Sequence, residues 1–566
     1  MMVLPQTLAA TEMGTTPIVV LILYMLMLLI FGIVAYLKSS GSEEDYYLAG
    51  RGQGVLVTVL TIMATFFSSA AMLGIPGLIY KDGMAFLFFA LNLPVSGAVI
   101  YILGSRIWRL GRIRGYVTPA DLVTDYYGGS GLLRSLVALV GFLYVIPYII
   151  MQIKAGGYLA QRMFPNTESI TFLGSQYGIF EAGTIALSIL TMVYVLIGGM
   201  RSVAWTDVVQ GILLLSGMMI AGLATVMAMG GPVSFFQELA NLPAEAQSLP
   251  GPSGGWSPWK LMTICIFASL GTMIQPGQWM RYYAARSTKT LKQSALIFAL
   301  ILPACFLVGV MLVGLGARVL YPPSDETGTL LPHPSIGSSA SEFDQVVVAM
   351  LQEHIPLLLG AGFGVVVVSV ILVAIMAASM STADSNLHAL SAVLTRDLYD
   401  KFVRPKAGDR EKTWFGRGVI IVATLLALWL VRVGEDNPDF QPLALIAQLM
   451  FVAIAFSGQL LPLAIDVLFV RKGTQTGAIW GMISGILVVF LFTPFPTLMF
   501  GEGFGNTFGS ITGTLGKLFD IGFVGVAVNT LVFVIVSKFT QAPDKEHIQR
   551  FQRDLKTDLG PTSNGD

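Results

Sequence analysis

The segment Ala378-Ser379-Met380-Ser381-Thr382-Ala383-Asp384-Ser385-Asn386-Leu387-His388 lies inside a long apolar run. As a helix it places Ala378, Ser381, Asp384/Ser385 and His388 at i, i+3, i+4, i+7 spacing, so hydroxyls and a carboxylate share one face. A hard cation such as Na⁺ takes oxygen ligands, and the same face turned toward lipid would be very costly. Serine and threonine in such a place also bond back to helix carbonyls or pack helices closely; Asp384 is harder to account for in that way. His388 is one turn from Asp384, within reach of a hydrogen bond, or else a packing residue. Asp207 opens another apolar run, in Gly198-Gly-Met-Arg-Ser-Val-Ala-Trp-Thr-Asp207-Val-Val-Gln210. It reads either as a first-turn acid favoured by the helix dipole or as a cation ligand or proton carrier.

Two apolar runs are interrupted in the middle. One contains Ser68-Ser69-Ala70-Ala71-Met72-Leu73-Gly74-Ile75-Pro76-Gly77, the other Gly271-Thr272-Met273-Ile274-Gln275-Pro276-Gly277-Gln278. Proline removes a backbone donor and clashes with the preceding turn, and glycine tolerates unusual backbone angles. Either interruption alone could be a packing kink, but paired interruptions in the two halves of a chain mark a transporter's midplane site.

These residues must be positioned by membrane-spanning helices. The chain has 566 residues, 54% hydrophobic and 12% charged, against about 25% charged in soluble domains, and a mean hydropathy of +0.74. Apolar runs predict thirteen spans: 17–37, 55–79, 84–103, 132–160, 179–198, 206–229, 260–280, 293–316, 357–395, 418–433, 442–470, 476–496 and 519–537. The first is too long for a signal-peptide core and reads as a retained span. With the N-terminus outside and the C-terminus cytoplasmic, 26 Lys and Arg fall on inner segments and 7 on outer ones, as the positive-inside rule requires. Arg281 and the four arginines from Arg106 to Arg114 count as inner-surface charges. Lys154 reads as snorkelling to the outer surface, and Asp466 as structural near the inner end of its span. Extramembrane material is confined to loops near 230–259 and 317–345 and a tail from Lys538. Glu342 to Ile355 has amphipathic helical spacing.

The composition also excludes functions. Lys+Arg balance Asp+Glu at 33 each, without the basic excess of a nucleic-acid binder. Cys265 and Cys305 support neither a disulfide framework nor a metal site. A phosphate loop, a His-Glu-x-x-His motif and a Gly-x-Ser-x-Gly elbow are all missing, which argues against ATP-driven pumping and against an enzyme.

Three stretches in order carry a family resemblance: Tyr47-Leu-Ala-Gly-Arg51, Gly198 to Gln210, and Met380-Ser-Thr-Ala-Asp-Ser385 continuing to Leu394-Thr-Arg-Asp-Leu-Tyr399. Over residues 17 to 490 the chain resembles the sodium:solute symporter family. The resemblance implies an all-α polytopic membrane protein of leucine-transporter-like fold with two inverted five-helix repeats. These map to 55–231 (spans 2–6) and 260–470 (spans 7–11, including an external loop at 317–355). They are flanked by 1–54, the external loop 232–259, spans 12 and 13 within 471–537, and a cytoplasmic tail 538–566. It implies sodium-coupled import of a small organic solute through the plasma or inner membrane, with Na⁺ as coupling ion and no prosthetic group. The first Na⁺ site would be the backbone oxygens of Ala64, Phe67 and Ala378 with the hydroxyls of Ser381 and Thr382. A second cation site would use Asp207, Ser381, Asp384 and Ser385. Asp384 replaces a serine of relatives there, so protons should compete with the cation. Where sugar carriers of the family place polar side chains and an aromatic gate, this chain has Ala71, Ala90 and Gly271. A small carboxylate is therefore expected, contacted by Ser68, Ser69, Ala71 and Met72, by Thr272 and Gln275, and by Gln448. A receptor built on the same domain, a channel and a proton-coupled carrier are the competing functions; the tail is too short for a signalling domain. Oligomeric state leaves no mark in the sequence.

Overall fold

Backbone groups in hydrocarbon are satisfied by helices, and the described residues are mostly helical. The computed structural model describes residues 13–37, 42–164, 167–172, 174–322, 340–436, 446–493, 496 and 513–557. The main elements are α1 (Thr16–Leu37), α2 (Val55–Phe66), α3 (Ile75–Asp82), α4 (Gly131–Met163), α5 (Ile179–Ala228), α6 (Pro258–Ile274), α7 (Pro276–Ala284), α8 (Thr288–Cys305), α9 (Val346–Leu359), α10 (Ala361–Val393), α11 (Asp409–Asp436), α12 (Ile446–Ser457), α13 (Gln475–Phe492), α14 (Ile521–Phe539) and α15 (Lys545–Lys556). A short hairpin, β1 (Ser169–Phe172) with β2 (Ser175–Gly178), precedes α5.

Helix starts follow local capping chemistry. Ser130, Ser257, Ser287 and Thr474 accept backbone N–H bonds at the first turns of α4, α6, α8 and α13, and Asp520 accepts two at the start of α14; such caps satisfy donors that a helix start leaves open.

Eleven helices among the described residues are long and apolar enough to cross a membrane. Two expected crossings begin with shorter helices, α2 of 12 residues and α6 of 17. At 1.5 Å per residue these reach about 18 and 26 Å, short of the roughly 30 Å hydrocarbon core. Each is the first half of an interrupted span. After the first break the chain runs helically from Ala70 to Arg114, turning at Gly83, where φ is +67°. The spans expected at 179–198 and 206–229 form one element, α5, kinked at Gly199 with φ 55° and ψ −158°.

The unbroken α10 runs through the centre, with nearly every residue from Val368 to Val393 buried. At the periphery, Gly477, Gly481 and Gly485 of α13 press on Ser537, Phe533 and Asn529 of α14; a Cβ on Gly477 would lie 2.1 Å from Ser537 Oγ. The amphipathic reading of 342–355 changes here. Val346 to Pro356 are buried all round, so α9 is wedged into the bundle. Before it, the Phe343 carbonyl presses on Gly77 of α3, 2.7 Å from where a Cβ would stand, and Asp344 Oδ2 accepts the Ile446 amide at the start of α12, 3.1 Å.

The arginine-rich end is tied by ion pairs rather than by lone anchors. Arg134 meets Asp121 at 3.0 Å and Asp397 at 2.6 Å, Arg396 meets Glu43 at 2.8 Å, and Arg201 meets Asp45 at 2.5 Å. Burial alone would raise the Asp121 carboxyl, but Arg396 and Arg134 overcome it and hold it below the ordinary value. Arg106 donates to the Leu468 carbonyl at 2.8 Å, and Arg109 to that of Leu555. Arg114 joins Asp125 at 2.9 Å and Asp554 at 2.7 Å, with its guanidinium 3.8 Å from the centre of the Phe551 ring. These contacts seat α15. Lys154 does not snorkel: it is buried and pairs with Glu435 at 3.2 Å, because α11 brings that carboxylate to it. Asp466 is structural, accepting from the Tyr127 hydroxyl and the Lys472 and Gly473 amides.

Two outcomes follow. Gly199→Ala should destabilise the protein by roughly 1–3 kcal/mol, because its backbone angles suit glycine and a Cβ would stand 2.7 Å from Tyr46; a melting midpoint lowered by several degrees checks this. Burial pushes the Asp344 carboxyl up to about 7, outside the spanning helices. Its folded value exceeds its unfolded one, so its contribution is complete below about pH 4 and is lost as pH rises through 7. Melting midpoints from pH 4 to 8 should therefore fall more steeply for wild type than for Asp344→Asn.

Candidate ion and solute sites

The first break begins where α2 stops. Phe67 leaves helical geometry (φ −88°, ψ 79°), and a wide turn, Ala70–Gly74, leads into α3. The freed backbone finds partners locally: the Ser69 amide donates to Gln152 Oε1 of α4 at 3.1 Å, and the Ala70 amide to Ser68 Oγ at 3.2 Å. At the second break Gln275 is extended, and its side chain accepts the Gly277 amide at 2.6 Å. Pro276 then starts α7 without an amide to satisfy.

Beside the first break, α10 presents its hydroxyl face. Ser381 Oγ donates to the carbonyls of Ala64 and Ala378, each at 3.1 Å, and Thr382 Oγ1 to that of Ala64 at 3.2 Å. Phe67 is buried at the break itself. A cation with oxygen ligands at about 2.3–2.6 Å has ligand–ligand edges of about 3.3–3.7 Å in octahedral geometry. The three separations among these oxygens, 3.1, 3.1 and 3.2 Å, are tenths of an ångström short of such an edge.

A charged cluster lies beside this group. Asp207 of α5 accepts from the Thr61 hydroxyl and from Arg281 Nη2 at 3.2 Å; its Oδ1 has no hydrogen-bond partner. Asp384 of α10 accepts from the Tyr194 hydroxyl at 2.6 Å and from Ser385 Oγ at 3.0 Å. The Ser385 hydroxyl oxygen accepts from Arg281 and from the Thr65 hydroxyl, and its hydroxyl reaches the Ser381 carbonyl at 2.6 Å. Asp207, Arg281 and Asp384 are each 0% exposed.

Arg281 was the missing member. Counted by sequence among inner-surface charges, it lies wholly inside, because α7 turns inward after the break and its guanidinium fork offsets a carboxylate that burial would otherwise penalise heavily. The two carboxylates therefore share their neighbourhood with a fixed cation, for a formal net charge of −1. His388 makes no bond to Asp384; its ring packs at tilted angles against Tyr46 and Tyr47, with centroids 5.4 and 5.5 Å away.

A small cavity of about 20 Å³ lies between the two breaks, lined by Phe66, Ala71, Ile75, Phe89, Asn92, Leu93, Tyr148, Ala268, Thr272, Phe306, Met450 and Ile454. Of the expected solute contacts, Ala71 and Thr272 line it, and Ser68 faces the Tyr148 hydroxyl. Ser69 is turned to the Met151 carbonyl, Met72 is packed in the core, and Gln275 caps α7 through Oε1 while its buried Nε2 has no hydrogen-bond partner. Gln448 lines a different cavity, because α12 turns that side chain away from the breaks. Tyr148 and Asn92 were not anticipated. The i+4 stripe Tyr144, Tyr148, Gln152 in α4 was the available signal.

Paired helix breaks beside an unbroken, hydroxyl-bearing helix define a secondary transporter. The chain belongs to the sodium:solute symporter family, whose sequence profile matches residues 46–485. It is 27% identical over 550 residues to the sodium/proline symporter of Escherichia coli, covering 95% of this chain and 96% of that one. The Haemophilus influenzae sodium/proline symporter is 24% identical over 540 residues, 94% and 96% of the two chains. Among solved structures, a Na⁺-coupled sialic acid symporter in a substrate-bound, outward-open state has the same fold, with a TM-score of 0.70 at 20% identity over 94% of this chain and 100% of that one. The protein is thus a multi-pass membrane symporter of leucine-transporter-like fold, with Na⁺ as coupling ion and a small-molecule solute, and not an enzyme.

Arg281→Gln should lower stability by about 3–5 kcal/mol, the cost of leaving a buried charge without its partner, and abolish Na⁺-driven uptake. Adding Asp207→Asn should restore much of the melting midpoint without restoring uptake. Equal midpoints for wild type and Arg281→Gln would remove the pair from any structural role.

Proposed function

We propose that the protein imports a small amino-acid-like carboxylate, with L-proline the first solute to test, by alternating access driven by inward Na⁺. The observation that carries this reading is the chemistry of the cavity between the breaks. Phe66, Phe89, Phe306, Met450 and Ile454 give it walls that are almost wholly apolar, and Asn92, Tyr148 and Thr272 are the polar residues of its lining. A sugar needs a partner for each hydroxyl, at about 1–3 kcal/mol for each one left unpaired. A compact apolar body with one carboxylate needs far fewer. The helix halves that start after the breaks add amide donors and a favourable dipole for its negative end. Gly271 supports the same reading: a Cβ there would stand 2.8 Å from Ile454, so no gate side chain fits at that point. The sodium/proline symporters among the relatives point to the same solute class.

In this reading Ala64, Phe67, Ala378, Ser381 and Thr382 hold the first Na⁺. Asp207, Asp384 and Ser385, with Ser381, take a second cation whose affinity is set by Arg281. Residues 55–231 and 260–470 are the two repeats that move against each other, the N-terminus is outside, and the arginine-rich end faces the cytoplasm.

Purified protein in liposomes should accumulate L-proline under an inward Na⁺ gradient and stop when choline replaces Na⁺. Ser381→Ala and Thr382→Ala should each raise the Na⁺ concentration for half-maximal uptake by roughly tenfold, since a charge-assisted contact contributes about 1.5–3 kcal/mol. Hexose accumulation with no response to proline or other small carboxylates would overturn the solute assignment, and unchanged Na⁺ dependence in both variants the ion-site assignment.

A further inference from the structure

At the end read above as outer, a cavity of about 370 Å³ opens between the start of α5 and the end of α11. It shares no lining residue with the ion and solute sites. The exposed side of α11 leads to it: Val422, Leu425 and Trp429 are exposed on one helix face, and Arg432 continues that face one turn further on. Trp414, near the other end of α11, is exposed too. The helix thus carries tryptophan toward both ends of its apolar stretch, as spanning helices do at the two bilayer surfaces, and this puts Arg432 at headgroup depth. The hairpin adds a second apolar face. Ile170 pairs with Tyr177 across its strands, so these side chains and that of Phe172, two residues on, share one side. Ile170 and Phe172 are exposed, and Tyr177 lines the cavity. Charged groups stand among these apolar surfaces. Arg432 Nη1 meets Glu181 Oε1 at 3.1 Å, with the arginine side chain 68% exposed, and Glu435, which also lines the cavity, meets the buried Lys154 at 3.2 Å. The four charges sum to zero.

We infer that this cavity binds the headgroup of a phospholipid that carries a primary amine, with the phosphate on Arg432, the ammonium on Glu181 and Glu435, and the acyl chains along Trp429, Leu425 and Val422. Charge complementarity selects the headgroup. A guanidinium is a planar fork of N–H donors that fits phosphate oxygens, and the exposed side chain of Arg432 can receive them beside Glu181. An anionic headgroup would bring its charge to two carboxylates with nothing of its own to offset them. A quaternary ammonium has no N–H to give those carboxylates, whereas a primary ammonium has three. The apolar stripe of α11 selects a lipid over the free headgroup, because it offers the chains a surface that runs from Arg432 toward the middle of the bilayer. The inference is independent of which solute the protein carries.

The test uses the full-length protein, purified in mild detergent and stripped of lipid. It is mixed with phosphatidylethanolamine, phosphatidylcholine or phosphatidylglycerol of identical acyl chains, and the lipid bound per chain is read by native mass spectrometry. Phosphatidylethanolamine should bind tighter than either of the others by roughly tenfold or more, the difference made by charge-assisted hydrogen bonds. Arg432→Gln and Glu181→Gln should each weaken it by roughly tenfold on the same ground, and should reduce the rise in melting midpoint that the lipid gives wild type. Without lipid both variants should melt close to wild type, because exposed ion pairs contribute little. Soluble phosphoethanolamine at the same concentration should leave the midpoint unchanged. Phosphatidylcholine or phosphatidylglycerol bound as tightly as phosphatidylethanolamine would overturn the headgroup assignment. Unchanged phosphatidylethanolamine affinity in both variants would overturn the site, and a full rise in midpoint with phosphoethanolamine alone would overturn the lipid as its occupant.

Discussion

A helix that stops inside a bilayer must find partners for the backbone groups it frees, and this requirement organises the centre of the molecule. Ser68 and Gln152 take amides at the first break, Gln275 takes one at the second, and the Ala64 carbonyl receives the hydroxyls of Ser381 and Thr382. The last of these ties a broken helix to an unbroken one. At the proposed ion site a cation would enter chemistry that is already oxygen-rich, and the contacts that satisfy the break would become its ligands. Structural repair and the proposed ion binding thus draw on one set of atoms, on the buried polar face of α10.

Charge imposes the second constraint. Asp207, Asp384 and Arg281 come from three different helices, and Ser385 touches both the arginine and one carboxylate. Buried charges in low dielectric interact strongly, so a displacement of α7 relative to α5 and α10 would be felt at once by a cation held at the proposed second site. The Ser385 bond to the Ser381 carbonyl carries that connection to the neighbouring hydroxyl group. In the proposed arrangement the two ion sites are thus joined across about one turn of α10.

The breaks at Ser68–Gly77 and Gln275–Pro276 were legible because proline and glycine punctuate an apolar run, and the polar face of α10 because its period is helical. Most spans were legible for the same reason. The failures share a cause: where a side chain points depends on the neighbouring helix, and one sequence holds no record of neighbours. Arg281 looks like a flanking positive charge until α7 carries it inward. Lys154 looks exposed until α11 supplies Glu435. Gln448 lies two residues from Met450 on α12, and that offset alone decides which of two cavities it meets.

The seat of α15 has a consequence for how the chain is made. Arg114 binds Asp125, 11 residues on, and also Asp554, 440 residues on. At synthesis rates of about 5–20 residues per second, roughly 20 to 90 seconds separate the arrival of the two partners. The early partner shields the arginine while the helices between are inserted, and Phe551 and Asp554 close over it only when the bundle is complete. The final clasp thus acts as a seal on assembly order: a polypeptide released before α15 emerges has every spanning helix and no lock.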